Sequence, residues 1–196
     1  MKEKAMKKVI ILIISIMCAN YSTAQSTDNN SNQNQQPKTL VVYYSWSGNT
    51  QAVARQIQSL TNGDIFEIKP VKPYPKDYNE CILQAKKEIK DGYKPPIADT
   101  VKNISQYDAV FVGSPNWWST IAPPVATFLS QHDLSSKTVI PFCTHGGGRQ
   151  ANLFKDIAKL CSNSTMQKGF VVDGSTAHRA KSDVQKWLRD LGIIKY

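Results

Sequence analysis

The sequence is short of several things that would point to particular chemistries. It has only 3 His and 4 Cys in 196 residues, and no spacing among them suits a metal site, so a bound metal is not expected. No twin-Arg pair appears, and no internal repeat is seen. Its longest apolar run, Val9 to Ala19, is about eleven residues, well under the roughly 20 that a spanning helix needs. Acidic residues are also scarce: 15 Asp+Glu against 24 Lys+Arg give a formal net charge of +9. What is there is ordinary. A hydrophobic content of 41% with 20% charged residues excludes a wholly disordered chain and fits a globular domain.

The first 24 residues read as an export signal. Lys2, Lys4, Lys7 and Lys8 precede the apolar run, and Ser22-Thr23-Ala24 places small residues where a signal peptidase cleaves. The expected destination is the periplasm, with the membrane met only during export. A lipoprotein anchored through Cys18 ranks second, because the bulky Met17 precedes that cysteine. Cleavage would remove four Lys and Glu3, leaving 20 basic and 14 acidic residues, or +6. Residues 25–38 hold no large apolar side chain and read as a flexible linker. The folded domain is expected over 39–196.

Within that domain, apolar runs alternate with helical stripes. Strands are expected at Leu40–Tyr44, Ile65–Ile68, Ala109–Gly113, Val139–Cys143 and Phe170–Val172, with a local irregularity at Pro141, which cannot donate to a ladder. Helices are expected around Val53/Ile57/Leu60, ending at Gly63, and Tyr78/Ile82/Ala85/Ile89, closed by Gly92. Three more follow: one opened by Pro123-Pro124, one on Leu153/Ile157/Leu160, and one on Val184/Trp187/Leu188/Leu191 with Ser182 and Gln185 as a capping box. Five strands alternating with five helices predict an α/β fold, a three-layer doubly wound five-stranded parallel sheet.

In such a sheet, ligands bind beyond the carboxyl ends of the strands. The loop after the first strand is Ser45-Trp46-Ser47-Gly48-Asn49-Thr50, which puts hydroxyls, an amide and a glycine at a helix N-terminus, where anions are attracted. It lacks the lysine of a Walker A loop. The segment resembles the phosphate loop of flavodoxins, Ser/Thr-x-Ser/Thr-Gly-Asn-Thr, at every position of that pattern. Gly113-Ser114-Pro115-Asn116-Trp117-Trp118 resembles the second flavin loop, and Cys143-Thr144-His145-Gly146-Gly147-Gly148 the third loop of a bacterial flavodoxin-like subgroup.

The resemblance implies a strand order of 2-1-3-4-5 and FMN as cofactor. The phosphate would lie on the first loop. Trp117 or Trp118 would stack on the ring, Trp46 would lie near it, and the N–H groups of the triglycine would bond its polar edge. His145 would hydrogen-bond the flavin or tune it. Tyr74 to Tyr78 resembles a segment of the same subgroup near the ligand.

The implied activity is electron transfer through FMN with a redox partner protein. An FMN-dependent NAD(P)H:quinone-type oxidoreductase is the alternative, although no separate nicotinamide fingerprint is seen. Typical flavodoxins are acidic, so a charge of +6 points to an acidic partner. A nucleic-acid partner is not expected, because the basic residues are scattered. Two further readings compete. Cys143 and Arg149 have the Cys-x5-Arg spacing of tyrosine phosphatases, against which stands Cys143 as a small buried hydrophobe. A cofactor-free interaction module on the same scaffold is the other. The odd number of cysteines in the mature chain leaves at least one thiol free or intermolecular, and a Cys143–Cys161 bridge stays open.

Overall fold

A computed structural model describes residues 37–195. The expected export segment, Cys18, and the linker up to residue 36 lie outside the described residues. Lys38, assigned from sequence to the linker, is already tied to the fold: its N–H donates to Asp108 Oδ2 at 2.7 Å and its carbonyl accepts from the Asp108 N–H.

Among the described residues there are seven strands: β1 Thr39–Tyr43, β2 Asp64–Glu67, β3 Ala109–Trp117, β4 Thr120–Ile121, β5 Thr138–His145, β6 Thr165–Met166 and β7 Phe170–Asp173. The same described residues form five α-helices: α1 Asn49–Thr61, α2 Tyr78–Asp91, α3 Pro123–Gln131, α4 Leu153–Leu160 and α5 Lys181–Asp190. β2, β1, β3 and β5 lie side by side in parallel, and β6 and β7 both pair with the far edge of β5. This is the expected 2-1-3-4-5 order, with the fifth strand broken in two. β4 is a two-residue antiparallel hairpin partner of β3 that the sequence did not announce.

The break has a cause. Val139 O accepts the Gln167 N–H just beyond β6, and β7 resumes pairing at Phe142. Between these points Pro141, which has no N–H to give, faces the Gly169 backbone. The irregularity expected at Pro141 therefore appears in its neighbour, while β5 itself runs on unbroken.

Apolar runs are continuous because both faces of the sheet are covered. Leu40, Val42 and Tyr44 face α2, α3 and α4, whereas Val41 and Tyr43 face α1 and α5. Each fully buried aliphatic or aromatic side chain contributes roughly 1.5–3 kcal/mol of transfer free energy. Gly113 in β3 is a packing requirement, since a Cβ there would lie 2.1 Å from the Phe142 ring.

Two sequence expectations about helix ends are corrected. α1 ends on Asn62 in the left-handed region (φ 52°), not on Gly63. α5 has no capping box, because a 3-10 turn over Gly174–Arg179 runs straight into it and Ala180 becomes the cap, which leaves Ser182 inside the first turn. α2 is capped as expected at its end, by Gly92 (φ 62°), and Asp77 accepts the Glu80 N–H at its start.

Candidate functional site

A cleft of about 590 Å³ opens at the carboxyl ends of β1, β3, β5 and β7. Its lining includes Trp46, Ser47 and Asn49 from the first loop, Pro115 to Trp118 from the second, and Thr144, His145 and Gly146 from the third. Ser45, Gly48, Thr50, Gly147 and Gly148 are not among the lining residues: Thr50 is buried, Ser45 is half-buried, and Gly48, Gly147 and Gly148 are exposed on their loops.

The first loop is built to receive an anion. Gly48 takes φ 88° so that α1 can begin at Asn49, and no side chain caps the helix. The first N–H groups of a helix have no acceptor within it. Beside them, Ser45 Oγ is buried and has no hydrogen-bond partner among the described residues. A buried hydroxyl without a partner costs about 1–3 kcal/mol unless something satisfies it.

The loops are cross-braced. The Thr50 and Thr144 hydroxyls pair at 2.8 Å, joining α1 to the end of β5. Trp46 Nε1 donates to Pro75 O at 2.9 Å, which ties the first loop to the approach of α2. Asn49 presses so closely on Gly174 that a Cβ there would sit 2.6 Å from the Asn49 amide nitrogen. Asn116 Nδ2 donates to Arg149 O at 2.6 Å, so β3 holds the glycine loop. Asn116 Oδ1 is a second buried oxygen without a partner.

The second loop is mostly strand. Ladder pairing continues through Ser114↔Cys143 and Pro115↔Thr144, so β3 runs to Trp117 and only Trp118-Ser119 turns. Both turn residues are left-handed, at φ 51° and 69°. The Ser114 hydroxyl accepts the Ala122 N–H at 2.9 Å and fixes the hairpin. The two tryptophans then part. Trp117 packs edge-on against Tyr74 (centroids 4.9 Å apart) and Tyr44 (5.4 Å). Trp118 stays 49% exposed, its indole N–H donating to Ile82 O at 3.0 Å with the Lys86 ammonium 4.7 Å from the ring centroid. Behind Trp117, the Tyr74 hydroxyl donates to Glu88, and burial foremost, then Glu88, pushes that phenol well above its ordinary range.

Two walls of the cleft lie outside the three loops read from sequence, although Tyr78 belongs to the tract Tyr74 to Tyr78 expected near the ligand. Tyr78, Ile82 and Ala85 of α2 form one wall, although their spacing reads as a core stripe; Tyr78, at 63% exposed, shows where the stripe leaves the core. Asp173, Gly174 and Ser175 follow β7. The rule that ligands sit at strand ends reaches them as well, once applied to the fifth strand.

Cys143 behaves as a buried hydrophobe. It is 1% exposed, its thiol faces the carbonyls of Thr144 and Arg149, and burial pushes its pKa up to about 12. A phosphatase needs the thiolate, so this geometry opposes the Cys-x5-Arg reading. Cys81, Cys143 and Cys161 are all free and buried, with no Cys143–Cys161 bridge.

The sequence matches the family described as Flavodoxin over residues 38–191. The chain belongs to the flavodoxin family. Among curated proteins it is similar to an NAD(P)H dehydrogenase (quinone) of Cupriavidus metallidurans, 32% identical over 135 residues; the match covers 63% of this chain and 65% of that protein, just under two thirds of its length. Among solved structures, a Bacteroides eggerthii protein assigned provisionally as a flavoprotein is 30% identical with a TM-score of 0.69, covering 81% of this chain and 99% of that one. A flavoprotein in complex with FMN from Lactobacillus acidophilus is 26% identical with a TM-score of 0.62, covering 77% and 98%.

Proposed function

We propose that this flavodoxin-family protein binds FMN in the cleft and transfers electrons through it. The observation that carries the reading is Ser45 Oγ, buried and unpartnered beside an uncapped helix N-terminus. A phosphate monoester supplies the acceptor oxygens that such a site requires. Ser45, Ser47, Asn49 and the helix-start N–H of Thr50 would hold the phosphate, with Gly48 giving the turn. Pro115, Asn116, Trp117 and Trp118 would meet the ring, Asn116 with its free oxygen. Thr144, His145 and the Gly146–Gly148 loop would close the polar edge. FMN, when bound, supplies the reversible uptake of electrons, and the protein supplies grip, orientation and shielding from water.

The test is a titration of the colourless, cofactor-free mature protein with FMN, followed by absorbance and fluorescence. One FMN per chain is expected. Ser45→Ala should weaken binding about 10-fold or more, as for loss of a hydrogen bond to a charged group, while leaving folding intact or slightly improved. Unchanged affinity in Ser45→Ala would remove the observation on which the reading stands.

The partner in this reading is an acidic redox protein, in keeping with the excess of basic residues. A second reading, an FMN-dependent NAD(P)H:quinone-type oxidoreductase, is favoured by the Cupriavidus relative and by the aromatic and aliphatic wall of Tyr78, Ile82 and Trp118, which suits a flat second ligand. Steady-state oxidation of NAD(P)H with a quinone by the FMN-loaded protein separates the two. Export through residues 1–24 belongs to the same proposal, and FMN would then be acquired outside the cytoplasm. Fractionation of expressing cells, with the mature N-terminus sequenced, tests it.

A further inference from the structure

His145 closes β5 and stands in register with Asp173, which closes β7. Its ring lines the cleft, with the side chain only 12% exposed. Nδ1 lies 3.0 Å from the Gly147 nitrogen and accepts its N–H. An imidazole nitrogen that accepts a hydrogen bond carries no proton, so the ring hydrogen sits on Nε2. The same Nδ1 is 3.7 Å from Asp173 Oδ2, too far for a hydrogen bond but close enough for an ion pair with a charged ring. Asp173 is held ready for that role. Its other oxygen, Oδ1, accepts from both the N–H (2.9 Å) and the hydroxyl (2.6 Å) of Ser175.

We propose that His145, Asp173 and Gly147 form a proton-dependent switch that decides whether the Gly147 N–H is held by the protein or offered to an anionic or carbonyl-bearing ligand in the cleft. With the ring neutral, Nδ1 holds the glycine N–H. With the ring protonated, Nδ1 becomes a donor, turns to Asp173, and can no longer accept. The Gly147 N–H is released. The backbone there allows the change. Gly147 sits at φ 110°, where side chains are rarely tolerated, and nothing lies within 4 Å of where a Cβ would be. The neighbouring Gly146 lines the cleft, while Asn116 holds the loop's far end through Arg149 O.

The charges around the ring are few. Asp173 is the ionisable group facing it from β7. The first loop and β3 present neutral Ser47, Asn49 and Asn116 to the same cleft, α2 presents the Tyr78 phenol, and Arg149 follows on the loop itself. A ligand oxygen that takes the released N–H favours the protonated ring. By linkage, ligand binding then takes up a proton, and binding tightens as the pH falls through the range in which His145 titrates.

The identity of the ligand rests on the FMN reading, but the switch belongs to the cofactor-free chain and is tested there. In the ¹⁵N-labelled mature protein without FMN, the signals of the His145 ring and the Gly147 amide should change together, with one common midpoint, as the pH is lowered. Asp173→Asn should move that midpoint down, and His145→Gln should leave the Gly147 amide independent of pH. With FMN added, the ratio of the dissociation constant of His145→Gln to that of the parent should rise several-fold as the pH falls, the titration of the phosphate being common to both. A Gly147 amide that stays fixed while His145 titrates overturns the switch, as does an Asp173→Asn midpoint equal to the parent's. Co-titration in a chain that fails to bind FMN would keep the switch and defeat the cofactor reading instead.

Discussion

The Thr50–Thr144 pair offers the sharpest test of how the site is braced. The two hydroxyls are 2.8 Å apart, and the residues are 1% and 3% exposed. They join the first turn of α1 to the end of β5, across 94 residues of sequence. Valine matches threonine in shape, so each Thr→Val change removes a hydroxyl and opens no cavity. The two substitutions are not equivalent. Thr144→Val strands the Thr50 hydroxyl, which is buried and has no other partner, and should cost about 2 kcal/mol. Thr50→Val strands the hydroxyl of Thr144, which lines the cleft where water can replace the lost partner, and should cost about 1 kcal/mol or less. The double variant removes both polar groups and should return to within about 0.5 kcal/mol of the parent, giving a coupling on the order of 2 kcal/mol. Urea unfolding of the cofactor-free protein, followed by circular dichroism, measures all four corners of the cycle, and bound FMN must be absent because it would add its own stabilisation. For a domain of this size Thr144→Val should lower Tm by roughly 4–8 °C. Equal costs for the two single changes, or a double variant as unstable as their sum, would refute the reasoning.

Other consequences can be checked more briefly. Gly113→Ala places a methyl 2.1–2.7 Å from the ring atoms of the fully buried Phe142 and should cost about 3 kcal/mol, with partial recovery on adding Phe142→Leu; thermal unfolding reads both. Cys143, its thiol pushed up to about 12 by burial, should stay protonated at pH 8 and react with an aromatic disulfide reagent only after unfolding. The Asp173 carboxyl is held below its ordinary range by the Ser175 hydroxyl and N–H, with His145 adding less. A carboxylate with a lowered folded pKa stabilises the fold above the unfolded value near about pH 4 and loses that contribution as the pH falls through the folded value. Ser175→Ala should therefore flatten the acid limb of a stability–pH curve, an outcome read from urea midpoints below about pH 5.

How far the sequence reached depended on how local each feature was. β1 is legible because five successive buried residues are apolar or β-branched, as a strand covered on both faces demands. The first loop is legible because Gly48, Asn49 and Thr50 are residues that helix starts and anion sites select. The division of the fifth strand was legible only as a warning at Pro141, since the break falls on a different strand and depends on pairing. The role of α2 beyond Tyr78, which the resemblance had placed near the ligand, was hidden by its own regularity. Tyr78, Ile82 and Ala85 share one face, and periodicity cannot distinguish a face packed on the core from one that partly walls a cleft. The separate fates of Trp117 and Trp118 were also beyond the sequence, because a strand alternates its side chains only as far as it extends, and β3 extends four residues past the expected end.

Backbone strain was the least legible feature, and it bears most on function. Among the described non-glycine residues with positive φ, Trp118 and Ser119 lie at the β3–β4 turn, and Arg149 and Ala151 lie in the loop after β5. Neither Trp, Arg nor Ala is a residue that the left-handed region favours, so no composition rule marks these positions. Each such residue costs on the order of 1 kcal/mol and persists only where its surroundings over-determine it. Those surroundings can be named. The Trp118 indole is bonded to Ile82 O, Asn116 grips Arg149 O, and the Asn152 N–H donates to Ser119 O, so the two strained loops hold each other. Four of the six left-handed non-glycine residues among those described thus fall in these two interlocked loops, Asn62 and Ser136 being the others, on a sheet with a buried core on either side. A rigid sheet holding a strained rim keeps the rim's N–H groups, indoles and free amide oxygen in place before any ligand arrives, which lowers the ordering cost of binding. That is the arrangement expected of a tightly held cofactor.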